Sequence, residues 1–367
     1  MTATSDTAHA VSPDSGRHWS DPGAWPVSPG VHRIPLPLPN DGLRAVNVYA
    51  LETDAGLTLV DGGWALAESR RLLEEALDSI GYAVHDITRF LVTHVHRDHY
   101  TQASVIAREC GAHVSLGLGD KPTLDLLHGA HREDGSDPTV DLLVAAGAVD
   151  VARQWQKFTD GRRPDLGQWG YPDAWLEGDR ELTVGSRTIG AVHTPGHTQG
   201  HYVFADRPSG LLFAGDHVLP TITPSIGFEP VPAAQPLGDF LASLTKVRGL
   251  PDLRLLPAHG PVAASTHARV DELLAHHDAR LDLCAEALAA GPAGDRALSA
   301  VEVAGALPWT RHARSLAELD VFNTALAALE TKAHLELLVT RGRATRETGP
   351  DGVVVFGPVA DPGVRTA

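Results

Sequence analysis

Cysteine, lysine and long apolar runs are all scarce in this chain, and each shortage excludes something. Cys110 and Cys284 are the two cysteines, and neither sits in a Cys-x-x-Cys pair, so a disulfide framework and a cysteine-based metal or redox motif are both ruled out. No stretch reaches the roughly 18 to 20 consecutive apolar residues of a membrane-spanning helix, and Met1 to Ser20 has no signal-peptide apolar core. A soluble, cytoplasmic protein with no membrane partner is expected. Positive charge is short as well: 30 basic residues, with lysine only at Lys121, Lys157, Lys246 and Lys332, face 46 acidic ones, for a formal net charge of −16. Affinity for polyanions comes largely from clustered cations that release counterions, so this balance disfavours RNA and DNA as partners.

With 367 residues, 43% of them hydrophobic, the chain can bury a core and is long enough for about two domains. Residues 1–30, rich in Ser, Asp, Pro and Gly, read as a flexible leader. Short apolar runs then alternate with turn signals: Val31 to Leu36, Val46 to Glu52, and Leu57 to Val60 before Asp61-Gly62-Gly63. Ala65 to Ile80 puts Leu66, Leu73, Leu77 and Ile80 on one stripe, which predicts an amphipathic helix stopped by Gly81. Ile87 to Val92 is a buried-type strand, Ala103 to Cys110 a helix and His113 to Leu116 a strand. The rhythm breaks over about 119–177, where Trp155, Trp169, Tyr171 and Trp175 appear, and this reads as a partly helical insertion. Strands resume with Glu181 to Val184, Thr188 to His193, Tyr202 to Ala205, Leu211 to Ala214 and Leu253 to Leu256, and helices are predicted at Pro236 to Val247 and His267 to Ala289. Residues 291–367 turn helical, at Ala300 to Ala306 and Leu316 to Thr340, and close with a hairpin around Gly349-Pro350-Asp351-Gly352. Two helices and a two-stranded wing suggest a winged-helix-like C-terminal domain.

Histidine, by contrast, is plentiful, and the 20 residues cluster: His94, His96 and His99; His193, His197 and His201; His259, His267, His276 and His277. The first cluster stands in Thr93-His94-Val95-His96-Arg97-Asp98-His99, directly after the strand Phe90 to Val92, so a rigid strand end delivers it to one edge. Imidazole suits divalent transition metals. One carboxylate and several histidines in so few residues, joined by the later histidines, offer more donors than one tetrahedral ion takes. Two ions are implied. The i, i+2 spacing also differs from the i, i+4 spacing of a helical His-Glu-x-x-His site.

The segment resembles the His-x-His-x-Asp-His signature of the metallo-β-lactamase superfamily. Later segments are similar to that family's other motifs in the same order: Thr194-Pro195-Gly196-His197, Gly215-Asp216 after Leu211 to Ala214, and Pro257-Ala258-His259-Gly260. The resemblance implies that His94, His96 and His197 hold one metal and Asp98, His99 and His259 the other, with Asp216 bridging and Asp61 supporting the cluster from behind. It implies two divalent ions, zinc first with iron or manganese as alternatives, and a metal-bound hydroxide that attacks a carbonyl or phosphoryl centre while Asp98 orients it and moves its proton. The implied fold is α/β (α+β): a four-layer αββα sandwich over residues 31–290, then the helical winged-helix-like domain over 291–367. His193 and His201 are expected to support rather than ligate, and His276 and His277 with Arg280 to cap or buttress the site region. Tyr100 and Thr101 depart from the family's small residue and glycine, and either narrow access to the metals or pack.

Within the superfamily, Asp216 in place of cysteine disfavours a class B β-lactamase, His96 disfavours a flavodiiron protein, and no basic C-terminal motif points to glyoxalase II. The tail is similar to that of β-lactamase-like hydrolases with a winged-helix-like end, some of which are single-strand endoribonucleases and others ester or thioester hydrolases. From Ser299 onward it carries seven basic and eight acidic residues, a poor match for a duplex, so packing or homodimer support is expected of it. The insertion's tryptophans and the loop Pro220 to Pro232 are expected to wall an apolar or acyl pocket. The expectation is a binuclear metal hydrolase of a small ester, thioester or lactone. The alternatives are a metal-dependent single-strand endoribonuclease, and a mononuclear iron persulfide dioxygenase or non-hydrolytic metal protein.

Overall fold

Apolar residues that alternate along a strand must bury two faces, and the chain solves this by stacking one sheet on another. The computed structural model describes residues 18–39, 42–129, 137–160, 164–291, 296–310 and 313–359. Along the chain, β1 (Trp25–Ser28), β2 (Val31–Pro37), β3 (Ala45–Thr53) and β4 (Gly56–Val60) precede α1 (Ala67–Ser79). Then come β5 (Ile87–Leu91), α2 (Arg97–Cys110), β6 (His113–Gly117) and α3 (Lys121–His128). Next are α4 (Pro138–Ala145), α5 (Val149–Thr159), β7 (Ala174–Leu176), β8 (Arg180–Val184), β9 (Arg187–His193), β10 (Tyr202–Asp206) and β11 (Leu211–Gly215). The chain continues through α6 (Pro236–Arg248), β12 (Arg254–Pro257), α7 (Thr266–Ala289), β13 (Leu298–Ser299) and α8 (Ala300–Ala306). It closes with α9 (Val321–Thr340), β14 (Ala344–Thr348) and β15 (Val354–Pro358). Among the described residues, no helix is long and apolar enough to cross a membrane.

The elements gather into two units, and the first takes in the described residues of 1–130, 164–224 and 239–273. Its seven-stranded sheet runs β1 to β7 in sequence order, antiparallel up to β4 and parallel from there. A five-stranded sheet runs β12-β11-β10-β9-β8, with β11 and β12 parallel. On β3, Val46, Val48 and Ala50 face one core while Tyr49 and Leu51 face another, the period of two expected of a strand buried on both sides. Between the sheets, Val31, Tyr49, Leu51 and Leu91 pack on Ile189, Phe204, Phe213 and Leu256, with the Tyr49 and Phe213 rings edge to face at 5.3 Å. On the outer face of the larger sheet, Leu73 and Leu77 of α1 and Tyr100, Ala103 and Ile106 of α2 cover Ile34, Leu36, Val48, Leu59 and Phe90. Residues 239–248 of α6 lie outside the smaller sheet, where the Ser243 hydroxyl donates to the Pro195 carbonyl at 2.8 Å. This is the αββα sandwich.

The second unit takes in the described residues of 131–163, 225–238 and 274–367. Its core draws on Ala300, Val303 and Ala304 of α8, Ala325, Leu329, Leu335 and Leu338 of α9 and Phe356 of β15. Asp320 caps α9, its carboxylate accepting from the Asn323 backbone at 2.8 Å. Ser299 and Glu302 form a capping box on α8. Strands β13, β15 and β14 make a small antiparallel sheet.

Three local features differ from the sequence reading. Strand β1 lies within the expected leader: Trp25 and Pro26 pair with Arg33 and His32 on the sheet edge, where proline's missing donor is tolerated. Residues 1–17 of that leader lie outside the described residues. Helix α2 starts at Arg97 rather than Ala103, because the polar run at its start supplies a first turn with Asp98 near the positive helix end. In the expected insertion, α4 and α5 belong to the second unit, whereas α3 and β7 belong to the first, β7 extending the seven-stranded sheet.

A close approach of backbones ties β6 to the turn after β9. A Cβ on Gly117 would lie 1.9 Å from the Gly200 carbonyl oxygen, so only glycine fits. Gly117→Ala is expected to lower unfolding stability by about 1–3 kcal/mol or more, through overpacking that neither backbone can relieve; denaturant unfolding measures it.

Candidate metal centre

Every candidate ligand follows the carboxyl end of a strand: β5, parallel to its neighbours, leads to His94, His96, Asp98 and His99, the parallel pair β11 and β12 to Asp216 and His259, and β9, antiparallel to both its neighbours, to His197. β4 leads to Asp61, which adopts the left-handed backbone (φ 61°) that aspartate tolerates better than most residues. Buried Asp61 organises the strand end beside it. Its carboxylate accepts from the Thr93 backbone at 2.8 Å, the Thr93 hydroxyl at 3.0 Å and His99 Nδ1 at 2.9 Å. His99 Nε2 is thereby turned the other way. His259 is set similarly, since Nδ1 donates to the Ala45 carbonyl at 2.8 Å and the lone pair lies on Nε2.

Two groups of donors result. His94, His96, His197 and Asp216 form one, and Asp98, His99 and His259 the other, with all donor atoms of each group within 4.8 Å of one another. In the first, His96 Nδ1 lies 3.0 Å from both His94 Nε2 and His197 Nε2, and His197 Nε2 lies 3.5 Å from Asp216 Oδ2. In the second, His259 Nε2 lies 3.4 Å from Asp98 Oδ2, and His99 Nε2 3.7 Å from the same oxygen. Asp216 joins this group through its other oxygen, Oδ1 being 3.3 Å from His259 Nε2 and 3.6 Å from His99 Nε2. Metal–nitrogen distances of about 2.0–2.1 Å in a tetrahedron separate ligands by roughly 3.3–3.4 Å. The donor spacings, from 3.0 to 3.7 Å, bracket that value.

Ring-to-ring hydrogen bonds join His96 to His94 and His197 in the first group, but hydrogen bonding does not account for the second. His99 Nε2, His259 Nε2 and Asp216 Oδ1 are buried with no hydrogen-bond partner among the described residues. Buried polar atoms left so are costly unless positive charge, as a proton or a metal ion, lies among them. The residues present fit a pair of divalent ions. Burial, reinforced by the imidazoles of His99, His96 and His197, holds His94 well below its ordinary pKa, as a neutral ligand should be. Against the cost of burial, His259 and His99 hold the Asp216 carboxyl well below the usual range. His99 goes the other way. Burial alone would lower it, but the carboxylates of Asp61, Asp98 and Asp216 raise it to about 10, so it holds a proton that a metal must displace.

The structure brings all seven ligand positions of the sequence motifs together, with Asp61 behind them. His201 is a support: it is fully buried, its ring stacks on His94 at 5.0 Å, and Nε2 accepts from the Asp216 backbone at 3.2 Å. A Cβ on Gly215, whose φ is 51°, would come within 2.7 Å of that nitrogen, so the turn before Asp216 requires glycine. His193 bonds the Gln199 carbonyl at 2.9 Å and stands outside both donor groups. Tyr100 packs, its buried ring in the outer core and its hydroxyl donating to the Gly170 carbonyl. Trp169 and Trp175 pack against that same core, and Trp155 is buried in the second unit, so packing accounts for the insertion's tryptophans. His276 and His277 also belong to the second unit, where His277 pairs with His334.

Sequence reasoning missed two supports. Buried Asp120 accepts from the backbones of Val95 at 2.9 Å and Gly200 at 2.8 Å, joining two ligand-bearing turns. Asn47 donates to the carbonyls of Pro257 at 3.0 Å and Gly260 at 2.9 Å, fixing the turn that carries His259. Asn47 was detectable as the one polar residue inside the apolar run Ala45 to Leu51. Asp120 had no such signal.

A family model described as the metallo-beta-lactamase superfamily matches residues 41–259, a span that ends on His259. The chain belongs to the metallo-beta-lactamase superfamily. Its similarity to other superfamily proteins runs beyond that span. A metallo-beta-lactamase family protein of Thermus thermophilus superposes with a TM-score of 0.72 at 27% identity, over 91% of this chain and 100% of that one. A beta-lactamase domain protein of Burkholderia ambifaria gives 0.75 at 28%, over 92% and 94%. The lactamase-like protein adaB of Aspergillus niger is 31% identical over 265 residues, 72% of this chain and 65% of its own length. The chain spans less than two thirds of the length of the curated relatives it first matches.

Two outcomes are expected of this superfamily centre. Asp61→Asn replaces an acceptor of several N–H and O–H groups by one that must also donate, and metal affinity should fall about 10–100-fold, read by zinc titration against a chelator. Because His99 holds a proton up to about pH 10, zinc uptake near pH 7 should release protons and tighten as pH rises, which calorimetry in buffers of different ionisation enthalpy will show.

Proposed function

We propose that the protein is a binuclear metal-dependent hydrolase, zinc its preferred ion, acting on a small ester, thioester or lactone. The observation that carries this reading is Asp216, whose two oxygens face different donor groups, Oδ2 toward His197 and Oδ1 toward His99 and His259. A shared carboxylate is what two neighbouring cations need to screen their repulsion. When bound, such ions polarise a substrate oxygen and make a nucleophile available from water at neutral pH.

The chain's own residues supply the rest. Asp98 is the most exposed of the second group, its side chain 15% accessible against 0% for His99 and 2% for His259. Burial would raise its carboxyl, but His99 and His259 hold it below the ordinary range, so it stands ionised. An ionised carboxylate open to solvent beside the cage can orient a water and take its proton. His94 and His99, with no exposure, keep bulk water from the rear of the site and so strengthen every charge interaction within it. A small carbonyl substrate is preferred to RNA because a net charge of −16 repels a polyanion.

Turnover of aryl esters, acyl thioesters and lactones, run beside a labelled single-stranded RNA, tests the reading. Zinc-loaded protein is expected to turn over a carbonyl substrate. Asp98→Asn should cut kcat by about 10²–10⁴-fold and weaken metal binding at the second group, to which Asp98 contributes a donor, and Asp216→Ala should lose both turnover and part of the bound metal. Full activity in Asp216→Ala would overturn the binuclear reading; RNA cleavage with no ester, thioester or lactone turnover would replace the substrate class.

A further inference from the structure

A second set of metal-type donors stands in the helical unit, apart from the residues used so far. His276 and His277 on α7 and Glu330 on α9 each bring one donor atom within 4.8 Å of the others. His276 is exposed, His277 fully buried and Glu330 half-buried, so the cluster reaches from solvent into the helix packing.

Hydrogen bonds set the tautomers behind it. His334, one turn beyond Glu330 on α9, donates from Nδ1 to the Glu330 backbone carbonyl at 2.8 Å, which leaves the lone pair of the neutral ring on Nε2. That nitrogen lies 3.2 Å from His277 Nδ1 and accepts its proton, so the lone pair of His277 is on Nε2. A metal-binding histidine is oriented when its other ring N–H donates to a fixed acceptor, and His334 is that acceptor for His277. Burial, with neighbouring His334, His276 and Arg280, keeps His277 neutral, pushed down to about 2, and His334 follows at about 4. The Glu330 carboxyl is poorly solvated, pushed up to about 7 by burial with Arg280 pulling the other way. Arg280 also faces this cluster, while its guanidinium lies 4.4 Å from the Trp309 ring centroid and donates to the Pro308 carbonyl at 2.9 Å. The nearby Cys284 thiol, raised to about 12 by burial, stays protonated and is outside the donor trio.

We infer that His276, His277 and Glu330 form a separate divalent metal site that ties α7 to α9. Two imidazoles and one carboxylate with a further position open to water are a donor set of the zinc class. An ion there neutralises the desolvated carboxylate and cross-links the two helices within the one unit. This site is independent of the centre built around Asp216.

The test counts zinc. Full-length protein stripped of metal, re-equilibrated with Zn2+ and freed of excess by gel filtration is analysed for zinc per chain, for wild type, His276→Ala and Glu330→Gln. His276 is exposed and Glu330→Gln is isosteric, so both variants should keep the wild-type circular dichroism. Each is expected to hold one zinc fewer than wild type. The same difference of one should persist when His94→Ala is added to all three chains, which separates this site from the Asp216 centre. Equal zinc content in wild type and both variants overturns the inference.

Discussion

The structure turns on a carboxylate buried among imidazoles. Asp216 has lost most of its water, and a charge in that position is strongly destabilising unless partners surround it. Its partners are nitrogens of His197, His99 and His259, and two of those, like one of its own oxygens, have no hydrogen-bond partner among the described residues. Such an arrangement is stable only with positive charge at its centre, as protons or as metal ions. The centre is thus a cation trap before it is anything else.

Holding that trap open is the work of the two sheets. Ligands arrive from the ends of β5, β9, β11 and β12, whose strands are buried on their faces and cannot shift independently. Asp61, Asp120, Asn47 and His201 then link these ends to one another through short hydrogen bonds to backbone and ring nitrogens. A displaced ligand would break one of these buried bonds and leave a polar group unsatisfied, at a cost of about 1–3 kcal/mol. Glycine at Gly117 and Gly215 allows the backbones to approach closely enough for the links to form.

Much of this was legible in one dimension. The strands from β2 to β6 and β8 to β12 were readable because each combines an apolar run with turn residues, and Ala300 to Ala306 was predicted to the residue as α8. The residues whose donors converge were legible because His and Asp stand at fixed offsets within a motif. Less legible were features decided by distant partners. The start of α2 was obscured by polar ligands that carry no apolar period. Strand β1 was obscured by its proline and flanking glycines, since only the edge of an existing sheet makes a strand of it. Asp120 looked like any loop aspartate until the fold brought Val95 and Gly200 to its two oxygens.

What the sequence determined by itself was therefore local: which residues could bind a cation, and which segments had to become strands or helices. Those properties depend on side-chain type and spacing. Tertiary structure alone decided which nitrogens of His99 and His259 face the other donors, that the two oxygens of Asp216 are shared between two groups, and that His277, Glu330 and His334 meet across two helices. Ring orientation and sharing depend on hydrogen bonds between residues far apart in the chain, which exist only once the sheets and helices have packed.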